Sequence, residues 1–205
     1  MNTIIGIAGS LRTASYNAAL LRAAAELAPP SCRIEVASIR GIPLYDGDVE
    51  AAEGVPPAVA ELKGRIASAD GLLLVTPEYN NSIPGVFKNA IDWLSRPPDD
   101  IDQVFGNRPI GIMGATPGMG GTRLSQTAWL PVVRALGMSP WFGETLFLSN
   151  ASQVFDRTGV LVDEKVKRLL AAYMNGFAAF IESTTRSNRS PSRRRDPSST
   201  SLRTS

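Results

Sequence analysis

Apolar residues fall in two kinds of pattern along this chain. Ile4-Ile5-Gly6-Ile7-Ala8 and Leu72-Leu73-Leu74-Val75 are short and continuously apolar. Runs of that length suit strands buried on both faces of a parallel sheet. Arg33 to Ile39 alternates around Ile34 and Val36, and Pro109 to Ala115 is again mostly apolar, which predicts a second and a fourth strand. Trp141 to Leu148 is the candidate fifth. Between them the spacing changes to three and four. Leu20, Leu21, Ala24 and Leu27 share one face of a helix over about Tyr16 to Leu27, stopped by Pro29-Pro30. Val59, Leu62 and Ile66 mark a helix over Ala58 to Ala69, and Val86, Ala90, Ile91 and Leu94 mark one opening at Pro84. Further helices are expected over about Thr122 to Leu136 and from Val162 to Glu182, with a long loop over Gly41 to Pro57.

Strand and helix alternate about five times. That order predicts an α/β fold, a doubly wound five-stranded parallel sheet with helices on both faces and right-handed crossovers. One domain is expected over 1–183. Residues 184–205 are Ser-, Thr- and Arg-rich with Leu202 as their one large apolar residue, and are expected to form a disordered tail.

Charge changes the picture once it is divided. Of 21 basic and 19 acidic residues, six arginines and Asp196 lie in the last 22 positions. The first 183 residues therefore carry 15 basic and 18 acidic groups, net −3. The basic character belongs to the tail, and nucleic-acid binding is not expected of the domain. The chain has no histidine and a single cysteine, Cys32. Ser-His-Asp and Cys-His catalytic sets and His/Cys zinc sites are excluded, as is an internal disulfide. No run reaches the roughly 18 apolar residues of a membrane span. Met1-Asn2-Thr3 lacks the basic region of a secretory leader, so a cytoplasmic protein is expected.

In such a fold ligands bind outside the carboxyl ends of the strands, where strand order reverses. The loop after the first strand is Gly9-Ser10-Leu11-Arg12-Thr13-Ala14-Ser15-Tyr16-Asn17. It leads into a helix N-terminus, whose free N–H groups favour an anion. Ser10, Thr13, Ser15 and Asn17 add polar groups and Arg12 adds charge, which suits one phosphate monoester. The spacing is neither that of a Walker loop nor that of the dinucleotide Gly-x-Gly-x-x-Gly turn, and a plain polar turn with Ser15 as helix cap explains it equally well. The loop after the third strand runs from Thr76 into the helix that carries Trp93, with Pro77, Asn80, Asn81 and Pro84 making a fixed turn and Tyr79 offering a flat face. Phe87 and Trp93 suit core or interface packing, and Lys88 and Asp92 suit a surface ion pair. The loop after the fourth strand, Gly114 to Arg123, is Gly-rich, so its backbone can approach something flat.

The first loop, the string Pro-Glu-Tyr-Asn-x-Ser-Ile-Pro-Gly-x-x-Lys-Asn-Ala-Ile-Asp-Trp over Pro77 to Trp93, and the Gly-rich third loop together resemble the NAD(P)H-dependent FMN reductase family. These are flavodoxin-like proteins that include quinone, chromate and azo-dye reductases. The resemblance spans about Thr3 to Glu182. It implies that Ser10, Arg12, Ser15, Tyr16 and Asn17 hold the FMN phosphate. It implies that Pro77, Glu78, Tyr79 and Asn80 border the isoalloxazine ring, with Ser82 beside the flavin or a neighbouring chain. It places Thr116, Pro117, Gly118 and Gly121 in the loop closing the ring's other side. It further implies FMN as cofactor, NADPH or NADH as co-substrate, a small-molecule electron acceptor, and a homodimer or homotetramer with the helix after Pro84 at the subunit contact.

The activity so implied is hydride transfer from NAD(P)H to FMN N5, then electron transfer to a quinone, azo compound, chromate or free flavin. The cofactor carries the chemistry, so no catalytic side chain is expected, and no metal. Two other readings stand beside it. A flavodoxin-type electron carrier would serve protein partners without NAD(P)H activity; such carriers are usually strongly acidic, which −3 is not. A sensor or interaction protein would keep the fold and lose the cofactor. Cys32, at the end of the sheet opposite the ligand loops, reads as a bystander, and Glu78 as a residue that orders its loop.

Overall fold

The computed structural model describes residues 1–189. Its elements are β1 (Asn2–Ala8), α1 (Tyr16–Glu26), β2 (Cys32–Ala37), α2 (Gly47–Glu53), α3 (Pro57–Ala67), β3 (Gly71–Val75), α4 (Gly85–Leu94), α5 (Ile101–Phe105), β4 (Pro109–Ala115), α6 (Arg123–Ala135), β5 (Ser139–Pro140), β6 (Phe147–Leu148), α7 (Ala151–Val154) and α8 (Glu164–Arg189). The strand order is β2-β1-β3-β4-β5, with β6 also pairing β4, and every pairing is parallel. This is the flavodoxin-like doubly wound order, and it places a switch point between β1 and β3.

The continuous apolar strands are buried on both faces because adjacent residues point opposite ways. Ile4, Leu73, Val75 and Met113 pack with Leu20, Leu21 and Ala24 of α1 and with Leu170, Tyr173, Phe177 and Ile181 of α8. Ile5, Ile7, Leu72, Leu74 and Ile110 pack on the other face with Leu62 and Ile66 of α3, Phe87 and Trp93 of α4 and Trp129 of α6. Trp93 is fully buried within the chain, edge-on to Tyr45 with its indole N–H on the Pro43 carbonyl. It is therefore core rather than part of a subunit contact. Lys88 and Asp92 form the expected i,i+4 pair, at 2.6 Å.

Three expectations are revised. The fifth strand is not continuous over Trp141 to Leu148. Pro109 and Ile110 pair with β5, Gly114 and Ala115 pair with β6, and the segment between them bulges outward. There the Trp141 ring turns onto α8, edge-on to Tyr173 at 4.8 Å, and Gly143 lies against the indole where a Cβ would not fit. The expected loop over Gly41 to Pro57 contains α2, capped by Asp46. The last helix starts later, with Asp163 accepting from the Val166 N–H at 2.8 Å, and continues past Glu182 to Arg189. The first six positions of the expected tail are thus helical, and its remainder, 190–205, lies outside the described residues. Cys32 begins β2, buried, with its thiol pKa pushed up by burial and by Glu182. No helix among the described residues is long and apolar enough to cross a membrane.

Candidate active site

Three strand ends meet at the switch point. The loop after β1, the loop after β3 and the end of β4 enclose a cleft lined by Ser10, Arg12, Ser15, Tyr16, Asn17, Pro77, Glu78, Tyr79, Ala115, Thr116 and Pro117. Ten of the fourteen residues named from the sequence are in that lining. Asn80, Ser82, Gly118 and Gly121 are not, and each has another place. The cleft is narrow, about 90 Å³, room for a phosphate group rather than a whole nucleotide. A larger hollow, about 290 Å³, lies by Lys63 and Asp100. It lies between α3 and α5 with none of the candidate site residues in its lining, and its cation is already held by Asp100 at 2.5 Å.

The first loop is short of acceptors. Ser15 caps α1, its hydroxyl accepting from the Ala18 N–H at 3.2 Å. The backbone N–H groups of Tyr16 and Asn17 have no acceptor among the described residues. They open the positive end of the α1 dipole onto the cleft. The Ser10 hydroxyl accepts from the Arg12 N–H and lies 3.4 Å from the Tyr79 hydroxyl. Asn17 departs from the simple phosphate role. It is buried and clamps the end of β4, donating to the Ala115 carbonyl at 2.8 Å and accepting from the Ala115 N–H at 2.9 Å. One amide hydrogen remains to face the cleft.

The second loop is built on a closed turn. Tyr79 and Ser82 exchange backbone hydrogen bonds across Asn80 and Asn81, whose φ values are 50° and 60°. Two successive left-handed residues make a type I′ turn, which Asn tolerates better than most residues. Glu78, the only carboxylate in the lining, has one oxygen engaged by α6. Its Oε2 accepts from the Leu124 and Ser125 N–H groups at 2.8 and 3.1 Å, taking the place of a cap that Thr122 does not supply. Beneath it the Thr76 hydroxyl, fully buried, donates to the Pro77 carbonyl and meets Ser125 Oγ at 2.9 Å and the Trp129 indole N–H at 3.2 Å. Thr76, Ser125 and Trp129 went unread in the sequence, because partners 49 and 53 positions apart leave no local signal.

In the third loop, the Thr116 carbonyl accepts from the Ala151 N–H and the Gly118 carbonyl from the Asn150 N–H, both at 3.0 Å. Gly121, with φ 65°, packs against Phe147. Thr116 and Pro117 thus face the cleft while Gly118 and Gly121 shape the loop.

The lining fits a phosphate ester: hydroxyls, a guanidinium and unpaired amides at a helix N-terminus, with the one carboxylate engaged elsewhere. Fold and site together define a flavodoxin-like protein with a cleft suited to a phosphate ester at its switch point. Residues 2–153 match the NADPH-dependent FMN reductase family, and the chain belongs to it. It is 43% identical over 178 residues to an NAD(P)H-dependent FMN reductase of Pseudomonas aeruginosa, covering 87% of this chain and 94% of that one. It is 36% identical over 185 residues to a quinone reductase of Escherichia coli, covering 87% and 95%. Among solved structures it resembles FerB, an NAD(P)H:(acceptor) oxidoreductase from Paracoccus denitrificans, with a TM-score of 0.80 and 30% identity over 90% of this chain and 99% of that one. The cofactor is FMN, and the co-substrate is NADPH or NADH.

Proposed function

We propose that this chain is a quinone reductase. FMN, when bound, would supply the redox chemistry, carrying hydride from NAD(P)H to a quinone that becomes the hydroquinone with one further proton from solvent. The observation that carries the reading is the pair of open N–H donors, Tyr16 and Asn17, at the helix N-terminus that lines the cleft, beside a second loop whose turn Tyr79 and Ser82 close. In this reading Ser10, Arg12, Ser15 and the Tyr16 and Asn17 amides neutralise the phosphate. Asn17 also fixes the end of β4, so the first and third loops hold a constant spacing. Pro77, Glu78, Tyr79 and Asn80 present a rigid edge for the flavin ring, Ser82 closes their turn, and Thr116, Pro117, Gly118 and Gly121 form the opposite wall.

Quinones are the acceptors this reading favours over azo compounds, chromate or free flavin. A 2-hydroxy-1,4-benzoquinone reductase of a Burkholderia species, 37% identical over 175 residues, supports it together with the E. coli relative. Association into a homo-oligomer is part of the same reading. Leu44, Tyr45, Val49 and Val86 expose apolar surface beside α4, more than isolated side chains need. The test is a steady-state acceptor panel on FMN-loaded protein, with light scattering for mass. A quinone is expected to give the highest kcat/KM. Protein that neither retains nor binds added FMN defeats the proposal, as does a panel in which quinones rank last.

A further inference from the structure

A second hollow adjoins the phosphate cleft on its β2 side. It measures about 280 Å³, and its polar lining is Ser10, Arg12, Thr13, Arg22, Ser38 and Arg40. No carboxylate lines it. None of the three arginines has an ion-pair partner among the described residues, whereas Arg33, Arg65 and Arg96 each have one. In a domain with more carboxylates than cations, three arginines without ion-pair partners lining one concavity are a local concentration of positive charge. Arg40 is held in place by its Nη2 donating to the Leu11 carbonyl at 2.7 Å, which leaves its other donors for a ligand. Arg22 lines the hollow too, and its Nη2 lies near Gly159 of the adjoining loop, 3.1 Å from where a Cβ would stand. The floor is apolar and accessible: Val36 is 51% exposed there, an uncovered strand residue against which a base or ribose can lie.

We infer that this hollow receives the 2′-phosphate of NADPH and makes the protein prefer NADPH over NADH. The inference rests on the reading of the chain as an NAD(P)H-dependent reductase. The two hollows share Ser10 and Arg12, so a nucleotide phosphate in the second lies alongside the flavin phosphate in the first. In dinucleotide-binding α/β folds, selection between the two coenzymes follows the same chemistry. An acidic residue beyond the loop bonds the ribose diol of NADH, while an arginine there accommodates the extra phosphate. Here β2 is followed by Ser38-Ile39-Arg40, with no acidic residue. Planar guanidinium groups also suit a phosphate monoester dianion, which they can bind in bidentate fashion.

The experiment measures kcat/KM for NADPH and NADH on FMN-loaded protein and on the Arg22→Gln and Arg40→Gln variants. It is paired with calorimetric titration of 2′,5′-ADP and of 5′-AMP as the control lacking the 2′-phosphate. The unaltered protein is expected to favour NADPH by about tenfold or more, and each variant to lower the NADPH/NADH ratio by about tenfold, through KM. Binding of 2′,5′-ADP is expected to weaken in step, with 5′-AMP unaffected. Because both coenzymes meet the same flavin, incomplete FMN loading cancels in the ratio. Arg22 has no bond to the phosphate loop, so Arg22→Gln decides the matter should Arg40→Gln shed FMN. Equal use of the two coenzymes, or a ratio and a 2′,5′-ADP affinity unchanged in both variants, overturns the inference. If neither coenzyme bleached the flavin, the reductase reading would fall, and the 2′,5′-ADP titration would still decide the site.

Discussion

The first and second loops both follow a buried parallel strand and both lead into a helix, yet they differ in how their turns are held. The loop after β1 leaves the Tyr16 and Asn17 N–H groups without a protein acceptor. The loop after β3 closes on itself through Tyr79 and Ser82, and its carboxylate caps another helix. Buried polar groups are nearly always paired, so a group left open at the mouth of a cleft marks where a ligand belongs. The difference separates a receptor from a platform. Under the proposed function an anion completes the first loop, while the turn of the second is closed by the Tyr79 and Ser82 bonds.

The most severe way to break the platform is Gly114→Ala. Gly114, near the end of β4, lies between Thr76 and Thr122. A Cβ there would overlap the Thr76 carbonyl oxygen and Thr122 Oγ1, and a backbone atom cannot rotate away. We expect a stability loss of about 3 kcal/mol or more, read by denaturant unfolding, together with loss of FMN. Retained stability would mean that the two loops are not held as closely as described.

Glu78→Ala is expected to come next. It removes the acceptor of the Leu124 and Ser125 N–H groups, at a cost of about 1–2 kcal/mol for the uncapped helix. It also frees the second loop from α6, so FMN affinity should fall as well. Glu78→Gln keeps an acceptor oxygen and should recover most of both losses. If Gln behaved like Ala, the negative charge rather than the cap would be what matters.

This division was only partly legible in the sequence. The central strands announce themselves because β1, β3 and β4 are buried on both faces and must be apolar throughout. The edge position does not, since β5 and β6 are two residues each, separated by the segment that turns Trp141 onto α8. The same holds at the site. Ser10, Arg12, Ser15 and Pro77 to Tyr79 sit in contiguous strings whose residue types suit a loop around a ligand. The Thr76–Ser125–Trp129 network and the Asn17–Ala115 clamp depend on contacts between distant positions, which only the folded chain brings together.

A paired substitution sharpens the receptor side. Ser15→Ala removes both a helix cap and a cleft hydroxyl, and should cost about 1 kcal/mol in the apoprotein. Ser10→Ala removes a hydroxyl bonded only within its own exposed surroundings, and should leave apoprotein stability within about 0.5 kcal/mol. Both should weaken FMN binding about tenfold, the scale of one hydrogen bond to a charged group. Fluorescence titration of FMN against apoprotein melting separates the two effects. Equal stability losses would show that Ser10 is part of the scaffold.

The smallest effect lies beside the platform, where α2 is fastened to the end of α4. Arg96 Nε reaches Glu50 Oε2 at 2.8 Å, and the Tyr45 hydroxyl donates to the same oxygen at 2.9 Å. The Arg96 guanidinium, with help from Tyr45, holds the Glu50 carboxyl below its ordinary value. A carboxylate whose pKa is lowered by folding contributes stability that is complete above its unfolded value, near 4.3. That contribution fades as pH falls through the folded value, so α2 should loosen on acidification before the sheet does. Because the pair lies near the surface, salt should weaken the effect. Hydrogen exchange at residues 47–53, followed from pH 6 down to pH 3 in the protein and in Glu50→Gln, makes the check. Protection should decline with pH only where Glu50 is present. A decline of equal depth in Glu50→Gln would assign it to another carboxylate, with Asp46, the cap of α2, as the first to test.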